Sequence, residues 1–255
     1  MLASDPKTMP ETEKTAMLKR LAAKRTPILI SGVIGYVLLN IVRSSSAIIL
    51  PMVIDEYALT AAQAGLFAAI FNYTYAAVSV PIGALIDVIK ARKIMLISYF
   101  SMIAGLTIFS FSPNFSWLIL SRGLMGLGSA GFFPAYTKTV ANWVAARNFP
   151  KASGWVMAAA SLGTVLSSTP LTLLVTGMGM KHSMLFLAAG CAIMFGVMFF
   201  VMKNEPADCG LLSQDLLEGN EIQEGKIFKN SSTGILLVLR QPRVWFVVAA
   251  VLVSN

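Results

Sequence analysis

Arg43 is the residue whose type and position most need a chemical explanation. It lies fifteen residues past Ile28 inside an unbroken apolar stretch, which is roughly 22 Å along a helix axis at about 1.5 Å per residue. A guanidinium at that depth in hydrocarbon is expensive. It faces a bundle interior or a wet cavity on a substrate or ion path, unless backbone carbonyls or an interface satisfy it. Arginine grips carboxylate and phosphate with two parallel hydrogen bonds, so the natural partner is an oxyanion. Tyr36, seven residues earlier on the same helix face, either lines the same cavity or packs there. Two more cations, Arg122 and Lys138, sit in a later apolar stretch. Lys138 either adds to a positive cavity or reaches the headgroups, and Arg122 reads as a buried structural or gating cation. All twelve Asp and Glu residues fall in tails, in loops or at stretch ends. The cations therefore lack partners here, and an anion is the missing counter-charge.

The composition dictates what must position these residues. Hydrophobic residues make up 56% of the chain and charged residues 13%, against about 25% charged in soluble domains; the mean hydropathy is +0.72. Apolar stretches run over 28–53, 64–86, 94–111, 117–141, 152–175 and 183–202, each near the roughly 20 residues needed to cross a hydrocarbon core of about 30 Å. A further run at 244–253 begins just before Asn255 and reads as the truncated start of a seventh span. The expectation is an all-α membrane protein in four parts: a tail over 1–26, a six-helix bundle over 27–202, a polar linker over 203–243 and that seventh helix over 244–255. The tail is either disordered or carries a short amphipathic helix around 15–23 lying on the membrane surface.

The net charge of +8 resembles that of a nucleic-acid binder until the cations are placed. Lys7, Lys14, Lys19, Arg20, Lys24 and Arg25 precede the first stretch, Lys90, Arg92 and Lys93 follow the second, Arg147 and Lys151 follow the fourth, and Lys203, Lys226, Lys229, Arg240 and Arg243 follow the sixth. The alternate loops hold only Lys181. That asymmetry predicts a multi-pass inner (plasma) membrane protein with a cytoplasmic N-terminus and linker, and no nucleic-acid partner. Cys191 lies inside a span and Cys209 in a cytoplasmic loop, so neither is expected in a structural disulfide. The run Gly126-Leu-Gly128-Ser-Ala-Gly131 fits a dinucleotide fingerprint in letters only, because no strand precedes it and no acid follows at the required distance. Close helix packing explains Gly123, Gly126, Gly128 and Gly131 instead. No cofactor or metal is expected. With His182 as the sole histidine, nothing supplies the nucleophile and base of an enzyme.

The segment Gly83-Ala-Leu85-Ile-Asp87-Val-Ile-Lys90-Ala-Arg92-Lys93 between the second and third stretches resembles the major-facilitator signature G-x-L-x-D-R-x-G-R-R/K, with Val88 for its first arginine and no glycine near Lys90-Ala91. Together with Arg122-Gly-Leu-Met-Gly126 in the fourth stretch, it implies the six-helix N-terminal bundle of a 6+6 major-facilitator fold plus the start of helix 7, and a C-terminal six-helix half outside this chain. The resemblance makes Gly83, Asp87, Arg92, Lys93 and Arg122 a gating and conformational set. Gly35-Tyr36 with Arg43, Lys138-Thr139 with Trp143, and Asn204-Glu-Pro206-Ala-Asp208-Cys-Gly210-Leu211 are similar to the organophosphate:phosphate antiporter branch and related anion transporters. That similarity implies Arg43 as the principal anion ligand, with Tyr36 and Lys138 beside it. The chain departs from glycerol-phosphate members near Ser79, where they carry a lysine, and around 158–162, where they carry a histidine. The implied function is alternating-access transport of a small organic or phosphorylated anion by exchange or symport. The alternative is a transporter-like sensor that binds such an anion without net flux.

Overall fold

The computed structural model describes residues 10–212, with the side chains of Val80, Ala84 and Asp87 outside the described residues, as are the greater part of the expected linker and the seventh-helix start at 244–255. Six long helices follow one another: α1 (Glu11–Tyr57), α2 (Ala61–Ile89), α3 (Ala91–Ser110), α4 (Phe115–Trp143), α5 (Phe149–Met178) and α6 (Met180–Val201). Two short 3₁₀ turns, Ala146–Asn148 and Pro206–Cys209, complete the described residues, which contain no strand. The helices coincide with the six apolar stretches.

Local chemistry sets the boundaries. Ala58 in the left-handed region ends α1. Thr60 caps α2 in a reciprocal box with Gln63, satisfying two backbone donors at once. Asn114 caps α4 by accepting from the Trp117 N–H. Proline in the first turn opens α5, and Gly179 at φ 80° turns the chain into α6.

The N-terminal region departs from the expected tail. Helix α1 runs unbroken through Pro27 and carries 47 residues, with Leu21 buried and Met17 and Leu18 packed on the core. An apolar strip ahead of the span therefore docks against the bundle, which a disordered tail or a helix lying flat on a membrane would not do.

Four segments, α1, α3, Ala146–Met178 and α6, are each long and apolar enough to cross a membrane. Helices α2 and α4 have 29 residues apiece, with Asn72 and Thr74 in the one and Arg122 and Lys138 in the other. The helices alternate in direction. The end at which α1 starts is called proximal below, and the opposite end distal. The main packing pairs are α3 with α4, α1 with α5, α2 with α4 and α3 with α6. Helices α1 and α2, though consecutive, touch only slightly.

Helix α4 is the centre of this arrangement, and its glycines explain why. In lipid there is no hydrophobic drive between helices, so close fit has to hold them. A Cβ at Gly126 would overlap the Phe71 carbonyl and Thr74 of α2; one at Gly128 or Gly131 would run into Ser98 of α3. Gly83 behaves otherwise. Nothing described lies within 4 Å of a Cβ there, so its place in the signature does not reflect close helix approach within this bundle.

These contacts make opposite predictions for two small substitutions. Gly128→Ala should lower the thermal midpoint of the purified protein by several degrees, as overpacking of about 1–3 kcal/mol would. Gly83→Ala should leave it within about 1 °C. A scan of both variants by size-exclusion fluorescence after heating checks the pair.

Candidate functional site

Arg43 reaches from α1 toward α2, a helix that α1 otherwise touches only slightly. Its side chain is exposed and its guanidinium carbon lies 5.0 Å from the centroid of the Tyr75 ring on α2. That spacing gives a cation–π contact. Among the described residues the guanidinium donates no hydrogen bond and pairs with no carboxylate, so its donors remain available to a ligand.

Tyr36 stands one level nearer the proximal end and works on two sides. Its ring stacks on Phe132 and Phe133 of α4, with centroids 6.0 Å and 5.4 Å away, which is packing. Its backbone carbonyl accepts from Asn40 Nδ2 at 2.8 Å. The polar residues in this region are thus Arg43 with Tyr75 of α2, and Tyr36 with Asn40 on the preceding turns of α1. Sequence reading identified two of these four. Asn40 was open to the same argument, since it lies four residues after Tyr36 and three before Arg43. Tyr75 was not, because only the tertiary fold brings α2 against Arg43.

Lys138 does not join this group. Tyr136 of α4 donates to the Leu29 carbonyl of α1 at 2.7 Å, and a Cβ at Gly32 would strike the same tyrosine. Phe132 faces Gly35 and Tyr36. This antiparallel register sets Lys138 near the level of Leu29, about 20 Å of helix rise from Arg43. Lys138 is half-buried and has an interaction of its own.

Arg122 is fully buried. Its guanidinium carbon lies 5.0 Å from the Phe67 ring centroid and 5.4 Å from that of Phe71. Nη1 approaches the Met125 sulfur at 3.8 Å, while Nε and Nη2 have no hydrogen-bond partner. Two aromatic faces of α2 thus take the place of a counter-ion, and no ligand could reach this arginine without parting α2 from α4.

Of the remaining signature residues, Arg92 is the most engaged. Its guanidinium donates to the Phe199 carbonyl and lies 5.5 Å from the Phe199 ring centroid. Its backbone N–H donates to Asn204 Oδ1 at 2.9 Å. Lys93 beside it is exposed, and the Asp87 side chain lies outside the described residues. Gly83 has no close neighbour. At the distal end Lys181 pairs with Glu56 at 2.8 Å and Tyr57 donates to the Ser112 carbonyl at 2.9 Å, tying α1, α6 and the α3–α4 loop together. No group of three or more potential metal ligands occurs among the described residues.

Residues 32–255 match the family model described as Major Facilitator Superfamily. The uncharacterized transporter YybO of Bacillus subtilis is 28% identical over 68% of this chain and 40% of its own length. The probable sulfoacetate transporter SauU of Cupriavidus necator is 27% identical over 72% of this chain and 43% of its own. The chain thus spans less than half the length of the curated relatives it matches. Among solved structures, a bacterial homolog of the human lysosomal transporter Spinster, inward-facing and unoccupied, superposes with a TM-score of 0.61 at 18% identity, covering 72% of this chain and 44% of that one.

The Arg122 clamp is open to a direct test. Burying an unpaired charge is costly, and exchanging it for an apolar side chain of similar size is often neutral. Arg122→Met should therefore leave thermal stability within about 1 kcal/mol. Phe67→Ala and Phe71→Ala, which remove a side chain and bare the charge, should each cost about 3–5 kcal/mol. A melting series of the three variants distinguishes a cation held by aromatic faces from one held elsewhere.

Proposed function

The chain belongs to the Major Facilitator Superfamily, and from that premise we propose that it forms the first half of a secondary transporter that carries a small organic anion by alternating access. The observation that carries this reading is Arg43: an exposed guanidinium within a membrane-spanning helix, backed by the Tyr75 ring and free of any described carboxylate partner. A cation in that setting is stabilised when an oxyanion enters and is costly when the cleft closes empty. An anion thus favours the closed state over the open one, which is the bias that substrate-driven exchange needs. Tyr36, Asn40 and Tyr75 supply hydroxyl and amide groups around the same point, and the name of the sulfoacetate relative is consistent with an anionic cargo.

In this reading the proximal end, which gathers Lys19, Arg20, Lys24, Lys90, Arg92, Arg147, Lys151 and Lys203, faces the cytoplasm of an inner membrane. Arg43 acts alone among the cations named by sequence. Lys138 is too far along α4 to share one small ligand with it, and Arg122 is sealed off by phenylalanines. A second charge on the substrate would require a cation from the other half of the transporter. Organophosphates, with two charges on one end, therefore suit this half less well than carboxylates or sulfonates.

The test is counterflow of labelled organic anions and phosphate in proteoliposomes, using the full reading frame. Arg43→Ala should reduce exchange at least about 100-fold, the loss expected when a charge-assisted bidentate contact is removed. Lys138→Ala should retain it within a few-fold. Flux that survives Arg43→Ala would disprove an anion site at this arginine, and binding without flux in the wild type would identify a sensor.

A further inference from the structure

The chain does not leave the bundle where α6 ends. Trp143, buried in the last turn of α4, donates to the Lys203 carbonyl at 3.2 Å, and Asn142 donates to the Asn204 carbonyl at 3.1 Å. The Asn204 side chain accepts the Arg92 N–H at 2.9 Å, occupying a donor of the first turn of α3. Asn204 N–H and Nδ2 in turn donate to Asp208 Oδ2 at 3.1 Å and 3.3 Å, and the Glu205 N–H donates to the same oxygen at 3.4 Å. One asparagine thereby joins three segments distant in sequence. Each of its polar groups is used.

Lys90, immediately before α3, has φ 71° and ψ 141°. That is a region where side-chain-bearing residues are strained, and they persist there only when their surroundings compel it. The signature that this turn resembles has a glycine near this point, which would sit there without strain. Burial alone would push the Asp208 carboxyl up, yet bonds from Asn204 and Glu205 and the nearby Lys90 charge hold it below the usual carboxylate range. The Lys90 side chain itself is exposed.

We propose that residues 203–209 are a latch. Asn204 locks the exit of α6 onto the start of α3 and the end of α4. Asn204 holds the Arg92 N–H two residues past the strained Lys90, so the α2–α3 turn and the strap behind α6 move together. The linker that follows is then anchored at residue 209 rather than at the end of α6. Motion of the signature turn is passed directly to the connection with the rest of the protein.

Cys209 lies half-buried within the strap, whereas Cys191 is fully buried in α6. The rate of maleimide modification at Cys209, read by peptide mass spectrometry on the full-length protein in lipid nanodiscs, therefore reports latch opening, with Cys191 as the internal reference. Asn204→Ala should speed modification about tenfold and Asp208→Asn several-fold, with Cys191 unchanged, as local opening without global unfolding would. A parallel rise in Cys191 modification would show global destabilisation rather than opening at the strap and would overturn the latch. Asp208 is at the surface, so its variant remains informative even where Asn204→Ala does not fold. Native rates at Cys209 in every Asn204 and Asp208 variant that folds would overturn the latch itself.

Discussion

The fit between α4 and its two neighbours governs the rest of this structure. Hydrocarbon gives helices no reason to associate beyond contact itself, so the distance of closest approach decides what can pack. Gly126 lets α2 come in on one side, and Gly128 and Gly131 admit α3 on the other. Once α2 is drawn against α4, its aromatic residues take fixed positions. Phe67 and Phe71 cover Arg122, and one turn on, Tyr75 is presented to Arg43 across the cleft. A bulkier residue in the middle of α4 would therefore disturb the polar group on α1 without touching it.

The two arginines within membrane-spanning helices show how one side-chain type serves opposite ends. Both have an aromatic ring about 5 Å away in place of a carboxylate, and both are held by the quadrupole of that ring. They differ in access. Arg122 is enclosed on all sides and its remaining donors are unsatisfied, so its effect is confined to the α2–α4 seam. Arg43 opens on a cleft where two consecutive helices hardly meet, and its donors point to where a ligand can arrive. Exposure rather than charge separates the two arginines here, and it is what leaves Arg43 open to the anion proposed for it.

The ends of the bundle are secured by different means. At the distal end an exposed ion pair and a tyrosine hydroxyl cross-brace α1, α6 and the α3–α4 loop; exposed pairs of this kind contribute little individually. At the proximal end the connection is a network of backbone and amide hydrogen bonds centred on Asn204, with a buried tryptophan behind it. Such a network is geometrically exacting, because losing one member leaves several others unpaired. The proximal end is thus the more sharply defined, and it is also where the signature turn and the exit of α6 meet.

The class of the protein, the number of helices and their approximate limits were legible in the sequence, because hydrocarbon thickness and the cost of burying charge act on every residue independently of its neighbours in space. The glycine spacing in α4 announced close packing for the same reason, and Arg43 stood out by its depth alone. What the sequence could not carry was register between helices. Lys138 looked like a companion of Arg43 because both are membrane cations, but the antiparallel pairing of Tyr136 with Leu29 sets them about 20 Å of helix rise apart. Tyr75 was an ordinary letter until α2 faced α1, and the stretch from Asn204 stood out by resemblance but without a partner until the α6 exit folded back on α3. Among the described residues nothing lies within 4 Å of a Cβ at Gly83, prominent though that glycine is in the motif. Hydropathy and charge are properties a residue has by itself, and sequence determined them; burial and partnership depend on relative sliding and rotation of helices, and only the tertiary structure decided those.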